Sequence, residues 1–179
     1  MKRLLLFVLP LLLIVGCSTS QKEYDINHIV EQNGVYIKKF SDEIVNGKVF
    51  QMGGDMKVPL GKMKDGKKEG KWMLWYENGQ KEKEGTLKDG KENGLWTSWN
   101  KNGQKKSEIH YKDGKLDGLY TKWYENGQKE KEGTYKDGKP DGLSTNWYEN
   151  RQKWYELTWE NGEVVELIAE WNEDGSVKE

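Results

Sequence analysis

The chain has 179 residues, with 29 Lys and Arg against 30 Asp and Glu, a formal net charge of −1. That balance excludes the basic surface of a nucleic-acid binder and any block of acid that would act as a charged tail. Hydrophobic residues make up only 34%, yet the chain holds nine Trp and nine Tyr; disordered chains are poor in aromatics, so a thin fold with little two-sided core is expected instead.

The first element is an apolar run. In MKRLLLFVLPLLLIVGCSTS a basic start (Lys2, Arg3) precedes apolar Leu4 to Val15, then Gly16, Cys17 and polar residues. The run is short for a membrane span, which needs about 20 apolar residues, and it has the three-part plan of a secretory signal. Ile14-Val15-Gly16-Cys17 resembles a bacterial lipobox. That resemblance implies a lipoprotein: residues 1–16 removed as a signal peptide and Cys17 carrying the lipid. Removal of Lys2 and Arg3 would move the net charge from −1 to −3. Ser18 stands where an Asp would retain such a lipoprotein at the inner membrane, which favours the outer membrane where there are two. Cys17 is the only cysteine, so no intramolecular disulfide can staple the fold.

Residues 17–33 follow as lipidated cysteine and tether, STSQKEYDINHIVEQN lacking a clear period. Ile26, Ile29 and Val30 could instead begin a short cap. Residues 34–60 hold a vague echo of what comes next: NGVYIKKF is like NGLWTSW with one residue inserted. This stretch is expected to be a worn first unit or cap.

Residues 61–179 are a repeat domain. Gly66, Gly90, Gly114, Gly138 and Gly162 are spaced by 24 residues, as are Gly70, Gly94, Gly118 and Gly142, and Trp75, Trp99, Trp123, Trp147 and Trp171. Gly79, Gly103 and Gly127 continue to Gly175, with Arg151 as the exception. Each unit has an Asn-Gly and an Asp-Gly signal, which favour turns with positive φ between strands. The turn glycines are thus Gly79, Gly90, Gly103, Gly114, Gly127 and Gly138. A glycine every few residues would cost a helix about 1 kcal/mol each, and no helical apolar stripe is present. The expected fold is all-β: an elongated antiparallel meander of hairpins, about nine or ten strands and roughly 45 Å long.

A two-residue Asn-Gly loop would set Trp123 opposite Glu130, Tyr120 opposite Gly133, Trp96 opposite Ile109 and Trp72 opposite Gly85. One face would then carry Trp72, Trp96, Tyr120, Leu87, Tyr111 and Tyr135. The other would carry Trp75, Trp99, Trp123 and Trp147 with threonines and Lys/Glu columns. A type I turn with a bulge would slip the register and change the faces. The tryptophan ladder has two readings, packing over Lys and Glu stems or a platform for a partner. The KEKE strands read as solvated, ion-paired columns that discourage edge-to-edge association.

The unit WYENGQKEKEGTYKDGKPDG resembles the bacterial variant of the MORN repeat over about residues 61–175. The resemblance implies a β-hairpin repeat fold. Proteins built of such units are often labelled YwqK-family antitoxins of toxin–antitoxin systems, and MORN repeats elsewhere are scaffolds for proteins or lipids. Arg151 departs from the family glycine, so that turn is expected to weaken or change type.

Chemistry is sparse. His28 and His110 are the two histidines; no zinc spacing, serine elbow or phosphate loop occurs, and Asp89, Asp113 and Asp137 serve turns. No catalytic residue, metal or cofactor is expected. The expected function is a non-catalytic, membrane-anchored scaffold of the cell envelope with a protein partner. The alternatives are an antitoxin or immunity protein, and a cell-wall glycan binder using the aromatic ladder.

Overall fold

The computed structural model describes residues 21–179; the signal segment and Cys17 lie outside the described residues. In chain order, β1 (Glu23–Asp25) leads through a 3-10 turn (Ile26–His28) into β2 (Ile29–Gln32), β3 (Val35–Lys38), β4 (Gly47–Gly53), β5 (Met56–Lys64) and β6 (Lys67–Trp75). Then follow β7 (Lys81–Lys88), β8 (Lys91–Trp99), β9 (Lys105–Lys112), β10 (Lys115–Trp123), β11 (Lys129–Lys136), β12 (Lys139–Trp147), β13 (Lys153–Glu160) and β14 (Glu163–Glu170). Strands β4 to β14 pair each with the next in one twelve-stranded sheet, which β1 edges, and β2–β3 form a separate hairpin. The sheet exceeds the expected strand number because β4 and β1 extend it, and β1 pairs parallel to β4 rather than antiparallel. At about 4.8 Å per strand it spans roughly 50 Å.

The two turn signals build different turns. Asp89, Asp113 and Asp137 have φ of 50° and the following glycines φ of 83–90°, the doubly left-handed backbone of a type I′ turn, which matches the twist of a hairpin. The Asn-Gly turns are three-residue loops. Tyr124 N–H donates to Gln128 C=O and Gly127 N–H to Tyr124 C=O; only Gly127 is left-handed, at φ 80°. Asn126 Oδ1 accepts from Gln128 N–H at 2.9 Å, so the asparagine is there for its side chain. Arg151 keeps the same bonds, its N–H donating to Tyr148 C=O, at φ 76°. The turn type is therefore unchanged, and the cost is left-handed backbone on a residue with a Cβ.

The extra loop residue should slip the register, but a bulge one step in cancels it. Trp123 pairs with Lys129, not Glu130, while Lys122 pairs with Lys131 and Tyr120 with Gly133. Trp72–Gly85 and Trp96–Ile109 likewise pair as expected. A second bulge falls where Gly94, Gly118 and Gly142 sit, between Leu116 and Tyr120 in the third unit. Each 24-residue unit thus contains two bulges, which bend and twist the ribbon.

The register runs one row across the front of the sheet: Trp72, Gly85, Trp96, Ile109, Tyr120, Gly133, Ser144 and Leu157. Trp72 does not lie over Gly85, its partner. Its indole leans the other way, over Gly61, and Gly85 lies beneath Trp96. The indole N–H groups fix this lean, Trp72 donating to Lys62 C=O and Trp96 to Thr86 C=O, both at 3.1 Å. A glycine is needed under each indole because a Cβ would occupy the ring's place.

The core sits at the N-terminal end. Tyr24, Ile29, Val45, Val49, Leu60, Met63, Trp72, Leu87 and Trp96 form one buried cluster. The tether reading therefore fails for residues 23–32: Tyr24 and Ile29 are buried, and β1 and β2 belong to a cap, as the apolar residues of that stretch allow. Nor is NGVYIKKF a sheet repeat. Its strand β3 pairs with β2 and bridges Ile44 through Ile37 rather than joining the large sheet, and the hairpin docks on the first Asp-Gly turn, Tyr36 N–H donating to Gly66 C=O and Gly66 N–H to Val45 C=O.

Candidate interaction surfaces

The front face changes character along the ribbon. The β2–β3 cap covers Trp72 and Leu87 up to Trp96. A groove of about 360 Å³ lies at that junction, between Glu31 and Tyr36 on the cap and Leu74, Lys83 and Trp96 on the sheet. Past the cap, Tyr111, Tyr120, Tyr135 and Trp159 continue the front as a half-buried aromatic surface. Tyr120 and Tyr135 meet edge to face at 5.8 Å, and burial raises the Tyr120 phenol above its ordinary range. Ser144 takes the place that Trp72 and Trp96 hold earlier, and Trp159 Nε1–H donates to its Oγ at 2.8 Å.

The back face carries the tryptophan ladder. Trp75, Trp99, Trp123, Trp147 and Trp171 are all half-buried, and a lysine lies on four of them. Lys81 is 5.1 Å from the Trp99 ring centre, Lys105 5.7 Å from Trp123, Lys129 5.6 Å from Trp147 and Lys153 5.4 Å from Trp171. Because Lys81 also pairs in register with Trp75, tryptophan and lysine alternate across the sheet. Each lysine is held a second time by a carboxylate three residues on: Lys81–Glu84 at 2.7 Å, Lys105–Glu108 at 2.5 Å, Lys129–Glu132 at 2.6 Å and Lys153–Glu156 at 2.7 Å. The bulge inside each KEKE stretch puts residues i and i+3 on one face. Thr145 Oγ1 donates to Glu156 at 2.9 Å and Thr121 to Glu132 at 3.4 Å. The Lys81 hydrogen bond holds the Glu84 carboxyl below its ordinary value, against a smaller opposing effect of burial, and Lys153 does the same for Glu156. Every member of this network has a partner inside the fold. A cation over an indole is worth about 0.5–1 kcal/mol at such sites, so the ladder helps hold the sheet together.

The surface that sequence reasoning missed lies beside it. Leu95, Leu119 and Leu143 follow the bulge glycines at the 24-residue step, on the same face as the ladder, and are 43%, 42% and 51% exposed. Successive leucines lie two strand spacings apart, with one strand between them, about 10 Å. The signal was in plain view as the repeated Gly-Leu, but without the bulge the strand parity at that point could not be assigned. His110 Nδ1 lies 3.1 Å from Leu119 C=O, so this histidine is tied to the bulge of the next strand.

Both rims are stapled between units. On the Asp-Gly rim, Gly90 N–H donates to Lys68 C=O, Gly114 to Glu92, Gly138 to Leu116 and Gly162 to Pro140. On the Asn-Gly rim, Tyr76 O–H donates to Trp99 C=O, Tyr124 to Trp147 and Tyr148 to Trp171, at 2.7–3.0 Å. Asn78 and Asn126 add bonds to Lys101 and Glu149. The second unit breaks the pattern: Asn100 stands where Tyr76, Tyr124 and Tyr148 stand in its neighbours, and its buried Nδ2 has no partner.

No curated protein matches the chain. The hairpins β6–β7, β8–β9 and β10–β11, each with its closing Asp-Gly turn, coincide with three segments, residues 68–89, 92–113 and 116–137, that match the family model of the MORN repeat variant.

Proposed function

We propose that this chain is a non-catalytic scaffold of the bacterial cell envelope, held to a membrane by lipid on Cys17, whose repeat sheet binds a protein partner along the back face. The observation that carries the reading is the leucine stripe. Scattered surface leucines need no explanation, but a column of them repeated in step with the fold, alternating with His110, Thr134 and Thr158 on the face of the half-buried indoles, gives a regular series of apolar contact points. Such a series suits a partner that lies across several units at once, which is how a repeat protein gains affinity from a surface without a deep pocket. In this reading Trp75, Trp99, Trp123 and Trp147 supply the rigid floor and the leucines the direct contact.

The test is capture of partners from the native envelope by the mature protein, compared with the combined Leu95→Ser, Leu119→Ser, Leu143→Ser variant. These side chains are exposed, so the substitutions should leave stability within about 0.5 kcal/mol per site while capture is lost. Undiminished capture by the folded triple variant would refute the back face as the site. Trp99→Ala and Trp123→Ala serve as controls for the floor. A captured toxin would make the protein an immunity factor. A change in tryptophan emission with wall fragments, in place of protein capture, would replace the reading with glycan binding. Mass measurement of the mature product, beside Cys17→Ser, tests the anchor.

A further inference from the structure

Phe40 is the most exposed apolar side chain among the described residues, at 106%. It also holds a left-handed backbone, φ 60°, which a bulky residue rarely adopts. The loop that presents it is well fastened. Lys38 N–H donates to Glu43 C=O, Lys39 N–H to His28 C=O and Ser41 N–H to Lys38 C=O, and the Ser41 hydroxyl accepts from Glu43 N–H. The phenyl ring is thus pushed outward by a structured turn, with exposed Lys38 and Lys39 before it and exposed Ser41 and Asp42 after it.

The position of this loop gives its partner. Glu43, at the foot of the turn, accepts from Lys22 Nζ at 2.9 Å and from Tyr24 O–H at 3.0 Å. The backbone of Lys22 is fixed as well, its carbonyl accepting from Lys48 N–H at 2.9 Å. Lys22 lies five chain steps beyond Cys17, a span of at most about 18 Å even fully extended. A lipid on Cys17 would therefore keep Lys22 within that distance of the bilayer, and the turn that Glu43 ties to Lys22 on the same end of the molecule.

We infer that the Lys38–Asp42 turn is a second membrane contact, with Phe40 entering the headgroup–acyl boundary and Lys38 and Lys39 meeting lipid phosphates. An aromatic ring next to two cations is the chemistry of an interfacial anchor, and a second contact point would fix how the ribbon stands on the membrane. This inference rests on the lipid-anchor reading above.

The experiment uses the mature, acylated protein in vesicles of phosphatidylethanolamine and phosphatidylglycerol. Cys17 is the sole cysteine and acylation blocks its thiol, so Phe40→Cys provides a single site for an environment-sensitive fluorophore. Glu125→Cys, on the exposed Asn-Gly rim of the third unit, is the control. With brominated acyl chains, the label at position 40 should lose about half its emission, as expected for a group at the depth of an interfacial anchor, while the label at 125 should be unchanged. Equal emission at both sites in protein whose mass confirms the acyl group overturns the membrane contact and leaves the anchor standing. A mature product without acyl mass overturns both.

Discussion

Gly85→Ala tests how the front row is built. Gly85 has an ordinary strand backbone, outside the left-handed set, so propensity alone would make alanine better by roughly 0.5–1 kcal/mol. Space says the reverse. A Cβ at position 85 would lie 2.1 Å from Cδ2, 2.4 Å from Cε2 and 2.5 Å from Cγ of Trp96, where carbon atoms rest at about 3.5–4.0 Å. The indole would have to move by more than about 1 Å. Trp96 is 6% exposed in the core cluster and donates to Thr86 C=O, so moving it loses that hydrogen bond, worth about 1 kcal/mol. Overpacking adds about 1–3 kcal/mol. The expected destabilisation is about 2–4 kcal/mol, or a drop in Tm of roughly 5–15 °C for a chain this size. Urea and thermal unfolding followed by circular dichroism would measure it. Gly133→Ala is the internal comparison: there the new Cβ is tight only against Ser144 Cβ, at 3.0 Å, with Ser144 Cα at 3.5 Å and Leu143 O at 3.7 Å in ordinary contact, and the cost should stay below about 1 kcal/mol. The double variant Gly85→Ala, Trp96→Tyr should recover part of the loss, since the third unit already tolerates Ile109 beside Tyr120. A Gly85→Ala protein as stable as the parent, or no worse than Gly133→Ala, would refute the idea that the indole fills the glycine's place.

Other outcomes follow from the rims and the back face. Asn100→Tyr should stabilise the protein by about 1 kcal/mol in urea unfolding, because it replaces a buried amide without a partner by the hydroxyl staple of the other units; a loss of stability would mean that the second unit cannot seat the ring. Arg151→Gly should gain about 1 kcal/mol by relieving left-handed backbone at an otherwise normal turn, and no gain would place the strain elsewhere. For acid, Glu84 and Glu156 have depressed carboxyls, their side chains only 22% and 14% exposed. Their contribution is fully present above the ordinary value of 4.5 and is lost as pH falls through the lower folded value. Stability should therefore be flat near neutrality and decline below about pH 4.5, with a shallower decline in Glu84→Gln; parallel curves for parent and variant would exclude Glu84 as a source.

The sequence by itself determined the hairpins. A 24-residue spacing of Asn-Gly and Asp-Gly fixes where the chain reverses, and turn geometry is a local property of two or three residues. It also determined most of the register, since Tyr120–Gly133 and Trp72–Gly85 follow from counting back from a turn. What the tertiary structure decided are matters of compensation and cover. The three-residue loop and the bulge beside it shift register by equal and opposite amounts, so either one read alone misplaces Trp123. The lean of Trp72 toward Gly61 is chosen by a hydrogen bond to Lys62, on the preceding strand and away from its register partner Gly85. The cap was hidden for a different reason: Tyr24, Ile29 and Val45 carry no repeat and no strong period, and their burial depends on contacts with Met63, Trp72 and Leu87, dozens of residues away. Local chemistry writes turns into a sequence, but which face of a thin sheet is covered depends on what folds back over it.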